Sequence, residues 1–267
     1  AANQEGGQID QFKGPGFTPI PSALEQGALA PAALRSQAAS WGSELKAARV
    51  NLEVAPVMDV VPPGTDAQNQ PIGALQREFG HDPATVTAHG VAFLEGMHDA
   101  GEAVTAKHFP GLGRVAGNTD FSAGVVDSVT TAQDPYLQPF KAAVDGGAEM
   151  VMVSTATYTK LDPDHLAAFS SLVIRNLLRD SLGFKGIVVA DDLGAAAAVA
   201  GIDPGQRAVD FVAPGGELIT VKYAALVPAM VGALSARAAA DAGFRQLLLA
   251  AATHLLELKL RLGLLRC

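Results

Sequence analysis

The stretch Gly186-Ile187-Val188-Val189-Ala190-Asp191-Asp192-Leu193 decides how the rest of the chain is read. It is a run of β-favouring apolar residues that stops abruptly on two carboxylates. A run without polar alternation is a strand buried on both faces, the pattern of a parallel sheet covered by helices. In such sheets the chemistry collects at the carboxyl ends of the strands. Two carboxylates placed there are either a catalytic feature or a cap for a helix beginning near Leu193-Gly194. Position alone leaves both readings open.

Working outward from that strand, helical spacing and apolar runs alternate. Residues 31–48 put Leu34, Ala38, Trp41 and Leu45 on one face, with Trp41 a core anchor rather than a ligand platform. A strand is expected over 50–60, stopped by Val61-Pro62-Pro63-Gly64, and then a polar loop over 65–81 that contains Arg77. Asp82-Pro83 supplies a cap and a first-turn proline for a helix over 83–100. Residues 103–109 form a strand ending in Lys107-His108, before Pro110-Gly111. A loop over 114–127, a helix over 134–145, a strand over 149–158 and a helix over 171–182 lead back to the opening strand. Beyond it come a helix over 204–212, a strand over 216–221, and one or two helices over 224–265.

This is a succession of about five β-α units with no linker of disordered composition. An open doubly wound sheet is the alternative, but no glycine-rich dinucleotide fingerprint follows any strand. The fold expected is α/β, a (β/α)8 TIM-type barrel, with residues 1–267 as a single domain. The opening Ala1-Ala2-Asn3-Gln4-Glu5-Gly6-Gly7 reads as the end of a strand running into a loop, so an upstream segment or a partner chain is expected to complete the barrel.

With 49% hydrophobic and 17% charged residues, the chain can bury a sizeable core. A net charge of −8 argues against a nucleic-acid partner, whose surface demands basic residues, and against anionic membranes. No stretch reads as a membrane span: the alanine-rich run over 193–201 is too short, and lysine and arginine interrupt the tail over 250–265. The single cysteine, Cys267, excludes an intramolecular disulfide and a cysteine metal cluster.

Polar residues recur at the strand ends: Asn3 and Glu5, Asp59, Lys107 and His108, Ser154 and Thr155, then Asp191, with Arg77 in a following loop. Several strands delivering polar groups to one rim is how a barrel assembles a site. Adjacent residues on a strand point to opposite faces, so Lys107 and His108 reach one site only if the strand is ending and the backbone turns. Taken alone, Lys107 also reads as the partner of a structural carboxylate, and Arg77 as a solvated surface residue.

Five segments carry a resemblance: Gln4 to Gly7 (QEGG), Ala55 to Val60 (APVMDV), Arg77 to Pro83 (REFGHDP), Lys107 to Gly113 (KHFPGLG) and Gly183 to Leu193 (GFKGIVVADDL). In this order they resemble the catalytic barrel of glycoside hydrolase family 3, and most closely its bacterial β-N-acetylglucosaminidase branch. The family places about two further β/α units before the Gln-Glu-Gly-Gly segment.

The resemblance implies a retaining glycosidase for β-linked sugars, with a carbohydrate substrate and neither metal nor organic cofactor. Asp191 matches the nucleophile, and Arg77, Lys107 and His108 match sugar-binding positions that would also keep Asp191 ionised. Asp59 matches a position read as structural. The chain also departs from the branch. Leu112 replaces a second histidine, Asn3 replaces an aspartate that contacts sugar, and Gly117-Asn118-Thr119-Asp120 stands where an Asp-Ser-His triplet supplies the acid/base. His165, the next histidine, lies outside the motif. Asp120, on a loop that reads as mobile, is the nearest replacement candidate for the acid/base, with a group from outside the chain or an ordinary solvated turn residue as the alternatives. Two rival functions follow: a catalytically impaired barrel that binds a sugar or cell-wall fragment, and an unrelated barrel using Lys107 as a Schiff-base amine.

Overall fold

The computed structural model describes residues 1–265, so Cys267 lies outside the described residues. In chain order the elements begin with strands β1 (Gln4–Gly6) and β2 (Ile9–Asp10), helices α1 (Ala23–Gln26) and α2 (Pro31–Ala47), and strand β3 (Leu52–Glu53). Next come α3 (Pro83–Ala100), β4 (Ala103–Phe109), β5 (Val126–Asp127), α4 (Gln138–Asp145) and β6 (Met150–Val153). The second half holds β7 (Thr157–Tyr158), β8 (Asp162–Leu166), β9 (Ile187–Ala190), α5 (Pro204–Val212), β10 (Leu218–Ile219), α6 (Val227–Ala240) and α7 (Ala242–Arg261). Two compact units divide the chain: Ala1–Ala116 with Thr131–Val151, and Gly117–Thr130 with the residues from Met152 on. The division falls inside β6.

In the first unit, Ala2 bridges Glu53 in parallel, with its N–H given to Leu52 O and its carbonyl accepting from Val54 N–H at 2.7 Å. The chain opening is therefore a strand end, as its sequence suggests. β3 pairs in parallel with β4, Leu52 opposite Ala103, and β6 lies on the other side of β4. The expected strand over 50–60 is regular only at Leu52–Glu53, because Pro56 has no N–H to give. Single bonds continue the ladder beyond it: Thr105 N–H to Ala55 O, Lys107 N–H to Pro56 O, and Met58 N–H to Lys107 O.

Helix α3 has the expected bounds. Asp82 accepts the Thr85 N–H at 2.9 Å, Pro83 occupies the first turn, and Gly101 ends the helix at φ 79°. It packs closely on α2 because glycines face the contact: a Cβ on Gly96 would lie 2.4 Å from Arg35 O, and one on Gly42 2.8 Å from Ala100 Cβ. Trp41 is the anchor expected, 4% exposed with its ring 6.3 Å from Phe93. Burying a large apolar side chain contributes roughly 1.5–3 kcal/mol.

In the second unit the latter half of β6 leads the parallel set, followed by β9 and β10, with Leu218 opposite Val189. Every residue of β9 is buried, which matches its unbroken apolar run. The strand expected over 149–158 divides: β6 joins the parallel set, whereas β7 pairs with β5 and with β8. β8 has no apolar pattern (Asp162-Pro163-Asp164-His165-Leu166), so the sequence does not announce it. Leu172–Ser181 winds as a π-helix, with Val173, Ile174, Leu177 and Leu178 turned inward. The tail forms two helices rather than one. Asp241 breaks them with an extended backbone and caps α7 through the Phe244 N–H at 3.0 Å.

Parallel neighbours need crossover connections, and α3, α4, the π-helix and α5 each follow one strand and precede the next. The β-α alternation is the one expected from the sequence.

Candidate active site

Glu5 is the hub of the first unit's polar cluster. It lies on β1, where Gly6 turns the chain at φ 103°; a Cβ there would sit 2.1 Å from Pro21 O. Arg77 grips Glu5 with two parallel bonds, Nε to Oε2 and Nη2 to Oε1, both 2.8 Å. Lys107 Nζ lies 2.5 Å from the same Oε1 and gives a further bond to Asn3 Oδ1 at 2.7 Å. Burial alone would raise the Glu5 pKa, but the charges and hydrogen bonds of Arg77 and Lys107 outweigh it and hold the carboxyl far below its usual range. Burial pulls the Lys107 ammonium down, against the opposing pull of Glu5. The two shifts compete for the pair's proton. Lys107 Nζ donates to Asn3 Oδ1 and lies against Glu5 Oε1, so Glu5 is held by cationic side chains on two sides.

Glu53 lies beside this set, fully buried, with Oε1 accepting the Gln4 N–H at 2.7 Å. Burial pushes its carboxyl up to about 8, so it keeps its proton at neutral pH and does not compete with Glu5 for Lys107.

His108 is held from two sides. Its Nδ1 lies 2.7 Å from Asp59 Oδ2, and Arg77 Nη2 lies 3.3 Å from its Nε2. A guanidinium only donates, so Nε2 accepts and the ring proton sits on Nδ1, facing Asp59. Asp59 also accepts the backbone N–H groups of Leu112 at 2.7 Å and of His108 at 3.3 Å. These bonds fasten the segment that follows β4. Strand β4 runs on through Phe109, so the turn at Pro110-Gly111 follows the Lys107-His108 pair instead of dividing it. Both side chains nonetheless join one cluster, and the peptide bond between them is cis.

The cluster brings together Asn3, Glu5, Arg77, Lys107 and His108, but not as an open clamp. Lys107 is 1% and His108 5% exposed, whereas Asn3 and Arg77 are half-buried. Lys107 and His108 thus steady the two residues that keep solvent-facing surface. The burial of Lys107 argues against a Schiff-base role, since that chemistry needs an amine open to a carbonyl.

Asp191 and Asp120 belong to the second unit. The carboxylate pair that ends β9 divides its labour. Asp192, 9% exposed, accepts three backbone N–H groups: Gly194 at 2.7 Å and Lys222 at 3.1 Å on Oδ1, and Ala195 at 3.2 Å on Oδ2. Asp191 is half-buried, gives its N–H to Val153 O, and among the described residues accepts with Oδ1 the Asp192 N–H alone. The capping reading therefore applies to Asp192, which ties a turn rather than a helix start. Asp120 is exposed, but its loop is fastened, contrary to the mobile loop expected. Asn118 Oδ1 accepts the Asp120 N–H, and the carbonyls of Asp120 and Thr119 accept from Ala197 and Ala198, each at 3.1 Å. Ser154 faces inward, its Oγ 3.0 Å from the Tyr158 hydroxyl, and His165 bonds Asp162.

Sequence reasoning placed Glu5 among the strand-end residues without marking it as the hub, and it passed over Glu53. The signal for Glu53 was present: a carboxylate inside the apolar run Leu52-Glu53-Val54-Ala55 needs either a partner or a proton.

Parallel strands joined by helices, with carboxylates and cations at the strand ends, are the architecture of a β/α-barrel domain. The profile described as Glycosyl hydrolase family 3 N terminal domain matches residues 1–243, and the chain belongs to that family. Its fold is accordingly the TIM-like (β/α) barrel of that domain. Among known proteins, the chain is 38% identical over 205 residues to a β-hexosaminidase of Xylella fastidiosa (strain M23), covering 74% of this chain and 58% of the relative. It is 33% identical over 243 residues to a β-hexosaminidase of Xanthomonas oryzae pv. oryzae (strain KACC10331 / KXO85), covering 88% of this chain and 70% of the relative. The crystal structure of β-N-acetylhexosaminidase from Beutenbergia cavernae DSM 12333 superposes with a TM-score of 0.94 at 49% identity, covering 96% of this chain and 77% of that one. The chain thus spans 58% of the length of the first of these curated relatives.

Proposed function

We propose that the protein is a retaining glycoside hydrolase for β-linked sugars, with terminal β-N-acetylhexosaminides as the substrate class. The observation that carries this reading is the division between Asp191 and Asp192: one carboxylate holds the loop by three backbone bonds, which leaves the other for chemistry. The names of the relatives, β-hexosaminidase and β-N-acetylhexosaminidase, support the substrate class and favour hydrolysis over sugar binding without turnover.

In this reading the Asp191 carboxylate attacks the anomeric carbon as the bond to the leaving oxygen breaks, and the Asp120 carboxyl gives that oxygen its proton. Water then attacks the glycosyl-enzyme, Asp120 takes its proton, and Asp191 is released. Asn3 and Arg77 donate to sugar hydroxyls, and Lys107 and His108 serve substrate binding from behind them, by holding both in place. No step calls for a metal or an organic cofactor.

The test is intact-mass analysis after incubation with 2-deoxy-2-fluoro glycosyl fluorides, together with hydrolysis of aryl N-acetyl-β-glucosaminides. A covalent adduct on Asp191, absent in Asp191→Ala, is the expected result. Aryl glycoside hydrolysis that survives in Asp191→Ala would overturn the assignment.

A further inference from the structure

The loop that carries Arg77 also carries three side chains that its bond to Glu5 does not use. Asp66, Glu78 and His81 each present one ligand-type atom within 4.8 Å of the others. Glu78 is 0% exposed, and neither of its carboxylate oxygens has a hydrogen-bond partner. Asp66 Oδ1 and His81 Nδ1 are also shielded and without a hydrogen bond. Burying a carboxylate in this way is costly unless a proton or a cation compensates it.

The frame around these groups is rigid. Asn69 Oδ1 accepts the N–H groups of Ile72 and Gly73, and its Nδ2 donates to the carbonyls of Leu112 and Val115, both at 2.7 Å. Gly73 lies directly on the Asp66 backbone, where a Cβ would approach Asp66 Cα to 2.7 Å. On the other side, the Asp82 cap fixes the start of α3 immediately after His81.

We propose that Asp66, Glu78 and His81 bind one divalent transition-metal ion of the zinc type. Two carboxylates and a neutral imidazole offer a charge of −2, which the ion cancels. His81 Nδ1 and Asp66 Oδ1 lie 3.5 Å apart, at the limit for a hydrogen bond. That separation is close to the edge of a tetrahedral site, about 3.4 Å for bonds of about 2.1 Å. The imidazole selects zinc over magnesium or calcium, which prefer oxygen alone. The Asp66 and His81 side chains are 38% and 34% exposed, so the cluster lies near the surface while its ligand atoms are shielded. The ion would be structural. It fixes Glu78, the neighbour of Arg77, and so steadies the guanidinium that grips Glu5.

The test uses chelator-stripped wild type, His81→Asn and Glu78→Gln, dialysed against zinc chloride, with bound metal counted by mass spectrometry and melting followed with and without zinc. Its readouts do not depend on glycosidase activity. The expected result is one zinc fewer in each variant and a zinc-dependent rise in melting temperature in wild type alone. Without zinc, Glu78→Gln should melt at or above wild type, because the buried carboxylate is gone. Equal zinc content in all three proteins would place the ion elsewhere and overturn the proposal. A wild type that binds no zinc would also overturn it, leaving a proton shared between Glu78 and Asp66. Magnesium binding with equal affinity would overturn the transition-metal class.

Discussion

Replacing Glu5 with glutamine tests the buried cluster most directly. The substitution keeps the shape of the side chain but removes the carboxylate that Arg77 and Lys107 share. Removing one member of a buried ion pair costs about 3–5 kcal/mol, because a desolvated charge is left uncompensated. Here the buried Lys107 ammonium loses its carboxylate, so that range applies at pH 6. Glu53 then changes the outcome with pH. The charge of Glu5 helps to raise the Glu53 pKa and that of Lys107 lowers it, so without Glu5 the Glu53 carboxyl ionises at lower pH. Each unit by which its folded pKa falls returns about 1.4 kcal/mol once the pH has passed both values. The deficit of Glu5→Gln should therefore shrink by about 1 kcal/mol or more between pH 6 and pH 9. Denaturant unfolding of wild type, Glu5→Gln and Glu5→Gln/Glu53→Gln at both pH values measures it. The double variant should lose the pH-dependent recovery. A deficit below about 1 kcal/mol at pH 6, or one that is the same at both pH values in single and double variants, would refute the reasoning.

Three further outcomes follow from the same geometry. Glu53→Gln should gain stability relative to wild type as pH rises from about 5 to 8, because a carboxyl whose folded pKa is raised favours folding less once the unfolded chain ionises; paired unfolding curves across that range would show it. Asp192→Ala leaves three backbone N–H groups without their acceptor and should cost about 2–3 kcal/mol, with kcat falling more than KM rises, which melting curves and steady-state kinetics separate. Asp120→Asn should slow substrates with poor leaving groups by about 10²–10⁴-fold and barely affect activated aryl glycosides, which a leaving-group series would reveal as a steeper slope.

The alternation of buried strands and helices was legible because it rests on hydrophobic period and capping chemistry, both local properties. Residues 83–100 and 103–109 show this: a cap and a first-turn proline start the helix, and Pro110-Gly111 follows the end of the strand. β8 was not legible, since its pairing with β7 comes from a neighbour and not from its own residues. The same distinction runs through the site. Asp191 stands out as a carboxylate at a strand end, but which of Asp191 and Asp192 carries the loop depends on backbone N–H groups as far away as Lys222. Likewise Arg77 and Lys107 read as sugar contacts, whereas only the folded chain shows Glu5 gathering both.

Asp59 has a consequence for how this loop can vary. It fastens the segment after β4 through the backbone N–H of Leu112, a group every residue except proline possesses. Asn69 adds a second fastening through the Leu112 carbonyl. Neither bond reads the side chain at that position. A histidine or a leucine can therefore stand there over the same backbone course, and the loop can change its chemical content without loosening its grip on His108. Divergence within the family has a place to act here that leaves the architecture undisturbed.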